Sequence, residues 1–198
     1  MKFYTIPIVL LSMACTSGSG EDSGDTVDTQ LSIDTSDSGG SMQPSTGLDT
    51  DFESTLGDGY GCGDYVLSAA NTEDTTGLIV SGIGLAQQAH EIGEAITIGY
   101  DLPAKDIHIV AQVGEHITSE ICNDTPVVEP VIELSYTPTA GSVTVTITPE
   151  GEPSAHGGFP ASIEVVFDNV ELSEDTETHV PVIIESLSLT AGIGWLPG

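Results

Sequence analysis

The sequence predicts an all-β domain: a β-sandwich, immunoglobulin-like or jelly-roll-like, with at most one short helix, preceded by a disordered spacer. Three observations lead there. Apolar and polar residues alternate with period 2 in several separate segments, the signature of half-buried strands. Gly 23 and Pro 11 among 198 residues punctuate the chain at short intervals. Helical spacing occurs once, at 85–95, where Leu85, Ala89 and Ile92 stand at i, i+4 and i+7 between Gly84 and Gly93.

The amino-terminal element is a leader. Lys2 precedes an apolar run from Phe3 to Ala14 that ends at Cys15. Twelve apolar residues are too short to span a bilayer core, which takes about 20 in a helix, and the pattern suits a secretory signal. Leu11-Ser12-Met13-Ala14-Cys15 resembles the lipobox of bacterial lipoprotein precursors. That resemblance implies a signal peptide over 1–14, cleavage before Cys15, and lipid on the Cys15 sulfur and new amino terminus. Several acyl chains, each contributing about 0.8 kcal/mol per buried CH₂, make a lasting membrane anchor. Thr16 stands where Asp would resemble an inner-membrane retention signal. An outer membrane destination follows, with the protein facing the periplasm or the cell surface.

The next element, 15–57, reads as a lipid-anchored acidic tether. Positions 16–57 hold 23 Ser, Thr or Gly and 9 Asp or Glu among 42 residues. Such a composition buries too little surface to offset ordering entropy, so the segment is expected to be disordered. Its Asp-Ser and Asp-Thr pairs lack the spacing of a calcium loop.

The domain expected over 58–198 supplies strand candidates at 65–70, 77–83, 95–100, 107–113, 132–136, 143–148 and 180–190. The clearest is Val143-Thr144-Val145-Thr146-Ile147-Thr148, with threonines on one face. Ile163, Val165 and Phe167 share one parity and Val170 and Leu172 the other, so a bulge near Asp168-Asn169 is needed to bring both sets to the core. Cys62 and Cys122 remain once Cys15 is acylated. In an exported protein an even pair without Cys-x-x-Cys spacing is expected to form a structural disulfide.

Charge limits the partners. Against 31 Asp+Glu stand 2 Lys+Arg, a formal net charge of −29, and the only strong base beyond the leader is Lys105. Nucleic-acid binding, which depends on cations displacing phosphate counterions, is excluded, as is a polybasic lipid patch. A salty or calcium-containing exterior suits this surface. Clustered oxygens at Asn71/Glu73/Asp74, Asn123/Asp124 and Glu174/Asp175/Glu177 are the candidate Ca²⁺ ligands, although acidic turns of this kind are more often simply solvated.

No nucleophile elbow, Walker loop or dinucleotide loop occurs. His90-Glu91-Ile92-Gly93-Glu94 opens like H-E-x-x-H, but Glu94 replaces the second imidazole that zinc needs. His90 is therefore expected to face solvent, as is His108 on the polar face of its strand. A His108–His116 metal pair is conceivable if adjacent strands carry them; His156 and His179 read as loop residues. The function expected is non-enzymatic: a lipid-tethered binding or structural module for an envelope protein, a glycan or a cationic partner. Tyr60 and Trp195 are rings suited to sugar stacking, although Trp195, in Gly194-Trp195-Leu196-Pro197-Gly198, is rather expected to plug the sandwich. The alternative is an extracellular metal-dependent or hydrolytic enzyme using loop histidines and acids.

Overall fold

A computed structural model of the chain describes residues 47–123, 128–155, 157–174 and 180–194. Its elements are a 3₁₀ turn (Phe52–Thr55), β1 (Tyr60–Cys62), β2 (Val66–Ala70), β3 (Thr76–Ser81), α1 (Leu85–Ile92), β4 (Ile96–Asp101), β5 (His108–Glu115), β6 (Val131–Pro149), β7 (Ala161–Glu174) and β8 (Val182–Ile193). All strand pairs are antiparallel and belong to one sheet, in the order β1-β2-β3-β5-β6-β7-β8, with β4 joined to β6.

The all-β expectation holds, with one short helix. Among the described residues the strands hydrogen-bond into a single curled antiparallel sheet. The physical reason lies in β6. The segments 132–136 and 143–148, read as two strands, are the two ends of one 19-residue strand. Its first end pairs with β5 (Tyr136 opposite Ala111) and its second with β4 (Val145 opposite Ile98). Between them Pro138 to Ser142 shift register against β7. A proline cannot donate to a ladder and is tolerated where pairing is already irregular.

The curl crosses the sheet at one level. In β7, Asp168 and Asn169 are both exposed, and Asn169 takes a left-handed φ of 50°. In β8, Glu185 and Ser186 opposite them are exposed as well. Facing parity reverses there, so Ile163, Val165 and Phe167 on one side and Val170 and Leu172 on the other all reach the core, each no more than 1% exposed. This is the irregularity the parity change requires. Gly141 makes the same corner in β6. Its φ is 102°, and a Cβ there would strike the Asn169 backbone, so no other residue fits without strain.

Inside the curl a single core joins Leu67, Leu78, Ile109, Tyr136, Ile147, Phe167 and Ile184. Helix α1 closes part of it, lying against β6. Its buried stripe is Leu85, Ala86 and Ala89, whereas Ile92 is exposed. The expected i, i+4, i+7 stripe therefore shifts, because the helix ends at Gly93 before Ile92 turns inward.

The domain also begins earlier than 58. Leu48 and Phe52 are buried in the core, and the Leu48 N–H donates to the Tyr136 hydroxyl at 3.0 Å. Two apolar side chains in a long Ser/Thr/Gly/Asp stretch are diluted in a compositional average, yet two suffice to pack its last residues down. The leader, Cys15 and the tether up to residue 46 lie outside the described residues.

Cys62 and Cys122 are disulfide-bonded, with Cα atoms 5.6 Å apart and a sequence separation of 60. The bridge fastens the short edge strand β1 to the loop after β5. Closing such a loop stabilises by about 4 kcal/mol in the chain-entropy view.

Candidate binding cleft

The bend in β6 opens a gap in the sheet. β5 pairs with β3 from His108 (opposite Ser81) to Val113 (opposite Thr76) and meets β6 only from Ala111 onward. β4 lies farther along β6, after the corner. The chain crosses from β4 to β5 through Leu102, whose N–H donates to the Gly141 carbonyl at 2.9 Å, a cis Leu102-Pro103 peptide, and Ala104 to Ile107. Between the diverging strands lies a cleft of about 600 Å³. Ile98 and Tyr100 come from β4, Lys105, Asp106 and Ile107 from the crossing loop, and His108 from β5. Ser81, Gly82, Ile83 and Leu85 complete it from the β3–α1 connection.

Its floor is apolar and its rim polar, the usual make-up of a ligand site. Ile107 and Leu85 are buried, Ile98 and Tyr100 are half-buried, and Ile83 is 89% exposed. Lys105, Asp106 and His108 stand exposed at the rim. Partial burial, and then the charge of Asp106, push the Tyr100 hydroxyl above its ordinary pKa.

Behind the cleft is Tyr65, 1% exposed. Its ring lies so close to Gly82 that a Cβ there would collide with it, and the Gly82 N–H donates to the Tyr65 carbonyl at 3.0 Å. The Tyr65 hydroxyl has no hydrogen-bond partner among the described residues. Burial first, and the neighbouring Tyr100 second, push its pKa far up, so it stays protonated.

The sequence candidates are placed as follows. Asn71 and Asp74 build the β2–β3 turn. Asn71 Oδ1 accepts from the N–H groups of Thr75 (2.9 Å) and Thr76 (3.2 Å). Asp74 Oδ1 accepts from the N–H (3.1 Å) and hydroxyl (2.7 Å) of Thr118, with Asp74 at a left-handed φ of 54°. These oxygens are used in holding the loop after β5 against the hairpin, while Glu73 is exposed. Glu174 closes β7 opposite Tyr136 and is 5% exposed. Asn123 donates to the Ser119 carbonyl at 3.3 Å. Among the described residues no three His, Cys, Asp or Glu side chains gather as a metal site. Asp124, Asp175, Glu177, His156, His179 and Trp195 lie outside the described residues.

The histidines stand apart. His108 opens β5 and is exposed, as its place on the polar face predicts. His116 follows the far end of the same strand, eight positions on, about 26 Å away at about 3.3 Å per residue. The adjacent-strand pairing entertained for them does not occur. His90 departs from expectation in another way: it does not face open solvent. Its Nε2 lies 2.6 Å from the Pro160 carbonyl, and its ring tilts against Phe159 at 5.9 Å. Since a carbonyl oxygen only accepts, Nε2 carries the proton, and the ring ties α1 to the start of β7.

No protein family, no curated protein and no solved structure matches this chain.

A second, more polar cleft of about 540 Å³ lies beside the disulfide, lined by Asp58, Tyr60, Ser68, Thr118 and Cys122 among others. Tyr60, the ring considered for sugar stacking, is half-exposed on it. The first cleft was legible only in pieces. Lys105 stands out by charge and His108 by parity, whereas Ile83, Ile98 and Tyr100 meet only because β6 bends, and no local pattern reports a bend's partners.

Proposed function

We propose that this chain is a lipid-anchored lipoprotein of the bacterial cell envelope, held in the outer membrane through Cys15, whose β domain serves as a binding module. The leader ending at Ala14-Cys15 supports the anchor, and the Ser/Thr/Gly/Asp-rich stretch after it supports a tether. The two halves of the bent sheet enclose one core and leave the cleft open at their parting. The observation that carries the binding role is that cleft. An apolar floor, an isoleucine 89% exposed and a polar rim form a seat for another molecule. The separation of His90, His108 and His116 favours binding over a metal-dependent or hydrolytic activity built on them.

The anchor is tested by feeding cells a labelled lipid precursor and comparing wild type with Cys15→Ser. Label on wild type alone is the expected result; an unlabelled wild type refutes the anchor. The module is tested by titrating envelope components against wild type and Ile83→Ser. Loss of binding in the variant supports the cleft, and retained binding places the seat elsewhere.

A further inference from the structure

We infer that β4 is a docking edge for an extended, cationic segment of a partner protein, which adds to the sheet as a further strand. This rests on the binding-module role and names the partner's chemistry. Among the described residues β4 pairs with β6 alone, leaving one edge of its backbone N–H and C=O groups without a strand. Natural sheets guard such edges with short strands, prolines, inward charges or bulges. β4 runs six residues in unbroken register and holds no proline, no lysine and no inward charge.

Two stretches of the remaining edges are guarded, β1 and the end of β8 beside it. β1 has three residues and is fastened by the Cys62 bridge. It also lies against β8: a Cβ on Gly59 or Gly61 would strike the carbonyls of Thr190 and Gly192. β4 is a regular edge left open and, unlike the outer edge of β8, it opens onto the cleft. Strand addition takes affinity from main-chain hydrogen bonds and specificity from pockets for alternate side chains. Ile96, Ile98 and Tyr100 alternate on the inner face of β4, half-buried, beside the exposed Ile83.

Charge selects the occupant. Glu94 precedes β4, Asp101 ends it and Asp106 follows on the cleft rim, against the one cation Lys105. A second copy of this chain, also at −29, would set these acids against their own images. Paired strands lie about 4.8 Å apart, inside the screening length of about 8 Å at physiological salt, so that repulsion persists. A segment alternating Lys or Arg with Val, Ile or Thr meets both demands: apolar side chains toward the cleft, cations toward the acids.

The test uses the full chain bearing Cys15→Ser and a synthetic ten-residue peptide alternating Lys with Val and Thr. Its controls are an acidic counterpart with Glu for Lys, and the same cationic peptide N-methylated at alternate residues. Binding is read by calorimetry, and its location by amide hydrogen exchange. The expected result is saturable binding of the cationic peptide with exchange slowed at 96–101. N-methylation and, separately, Ile98→Glu each weaken it at least tenfold, although the variant adds negative charge. Equal binding of the N-methylated or acidic peptide, or slowed exchange elsewhere and not at β4, overturns the inference. The methylated peptide leaves the protein untouched, so the result stands even if Ile98→Glu fails to fold. Should no peptide dock at β4 while Ile83→Ser still abolishes binding of an envelope component, strand addition falls and the module survives.

Discussion

Tyr65→Phe should make this protein more stable. The Tyr65 side chain is 1% exposed and its hydroxyl has no partner among the described residues. A buried polar group without a hydrogen bond costs about 1–3 kcal/mol. Phenylalanine keeps the ring on Gly82 and leaves no cavity, so the gain at pH 7 is about 1 kcal/mol, or about 2–4 °C in melting temperature for a domain of this size. The pH dependence has a definite sign. Burial raises the Tyr65 pKa in the folded state, so the folded chain keeps a proton that the unfolded chain releases near pH 10. Stability from this group is therefore intact below about pH 10 and falls as pH rises beyond it, by about 1.4 kcal/mol per unit. The stability difference between Tyr65→Phe and wild type should widen in step. Urea unfolding of both proteins between pH 7 and pH 11 measures it. A variant less stable than wild type at pH 7 would mean that the hydroxyl is satisfied, and a difference that stays flat above pH 10 would mean that its pKa is not raised; either would refute the reasoning.

Other outcomes follow from the same structure. Cys62→Ser with Cys122→Ser should lower the unfolding free energy by about 4 kcal/mol, and a reductant should lower the wild-type melting temperature alone. Gly141→Ala should destabilise by about 2–4 kcal/mol, since the new Cβ meets the Asn169 backbone at a φ of 102°; Gly99→Ala, with open space around its Cβ, should change stability by less than about 1 kcal/mol. With a net charge of −29, the melting temperature should rise between 10 mM and about 1 M NaCl as self-repulsion is screened. A rise with micromolar to millimolar Ca²⁺ at fixed ionic strength would instead credit specific cation sites.

Much of the fold was legible because it is local. Alternation places Val143, Val145 and Ile147 inside without any knowledge of their neighbours, since successive side chains on a strand must point to opposite faces. The parity change between Phe167 and Val170 demands an irregularity, and Asn169 supplies it. Two cysteines without a competing use found each other. Gly84 and Gly93 bound a helix because both take left-handed conformations open to glycine.

What the chain could not announce is non-local. Two alternating segments joined through Pro138 and Gly141 read as two strands, and only the pairing with β7 on one side, and with β5 and β4 in turn on the other, makes them one. Leu48 and Phe52 look like stray apolar residues in a polar stretch until Tyr136, far along the chain, accepts the first into the core with a hydrogen bond. Asp74 in the β2–β3 turn looks like a ligand until Thr118 arrives to use its carboxylate. Periodicity records which way each side chain points. The cleft depends on where a sheet parts, and that is decided by contacts between segments tens of residues apart, whose spacing leaves no trace in any one of them.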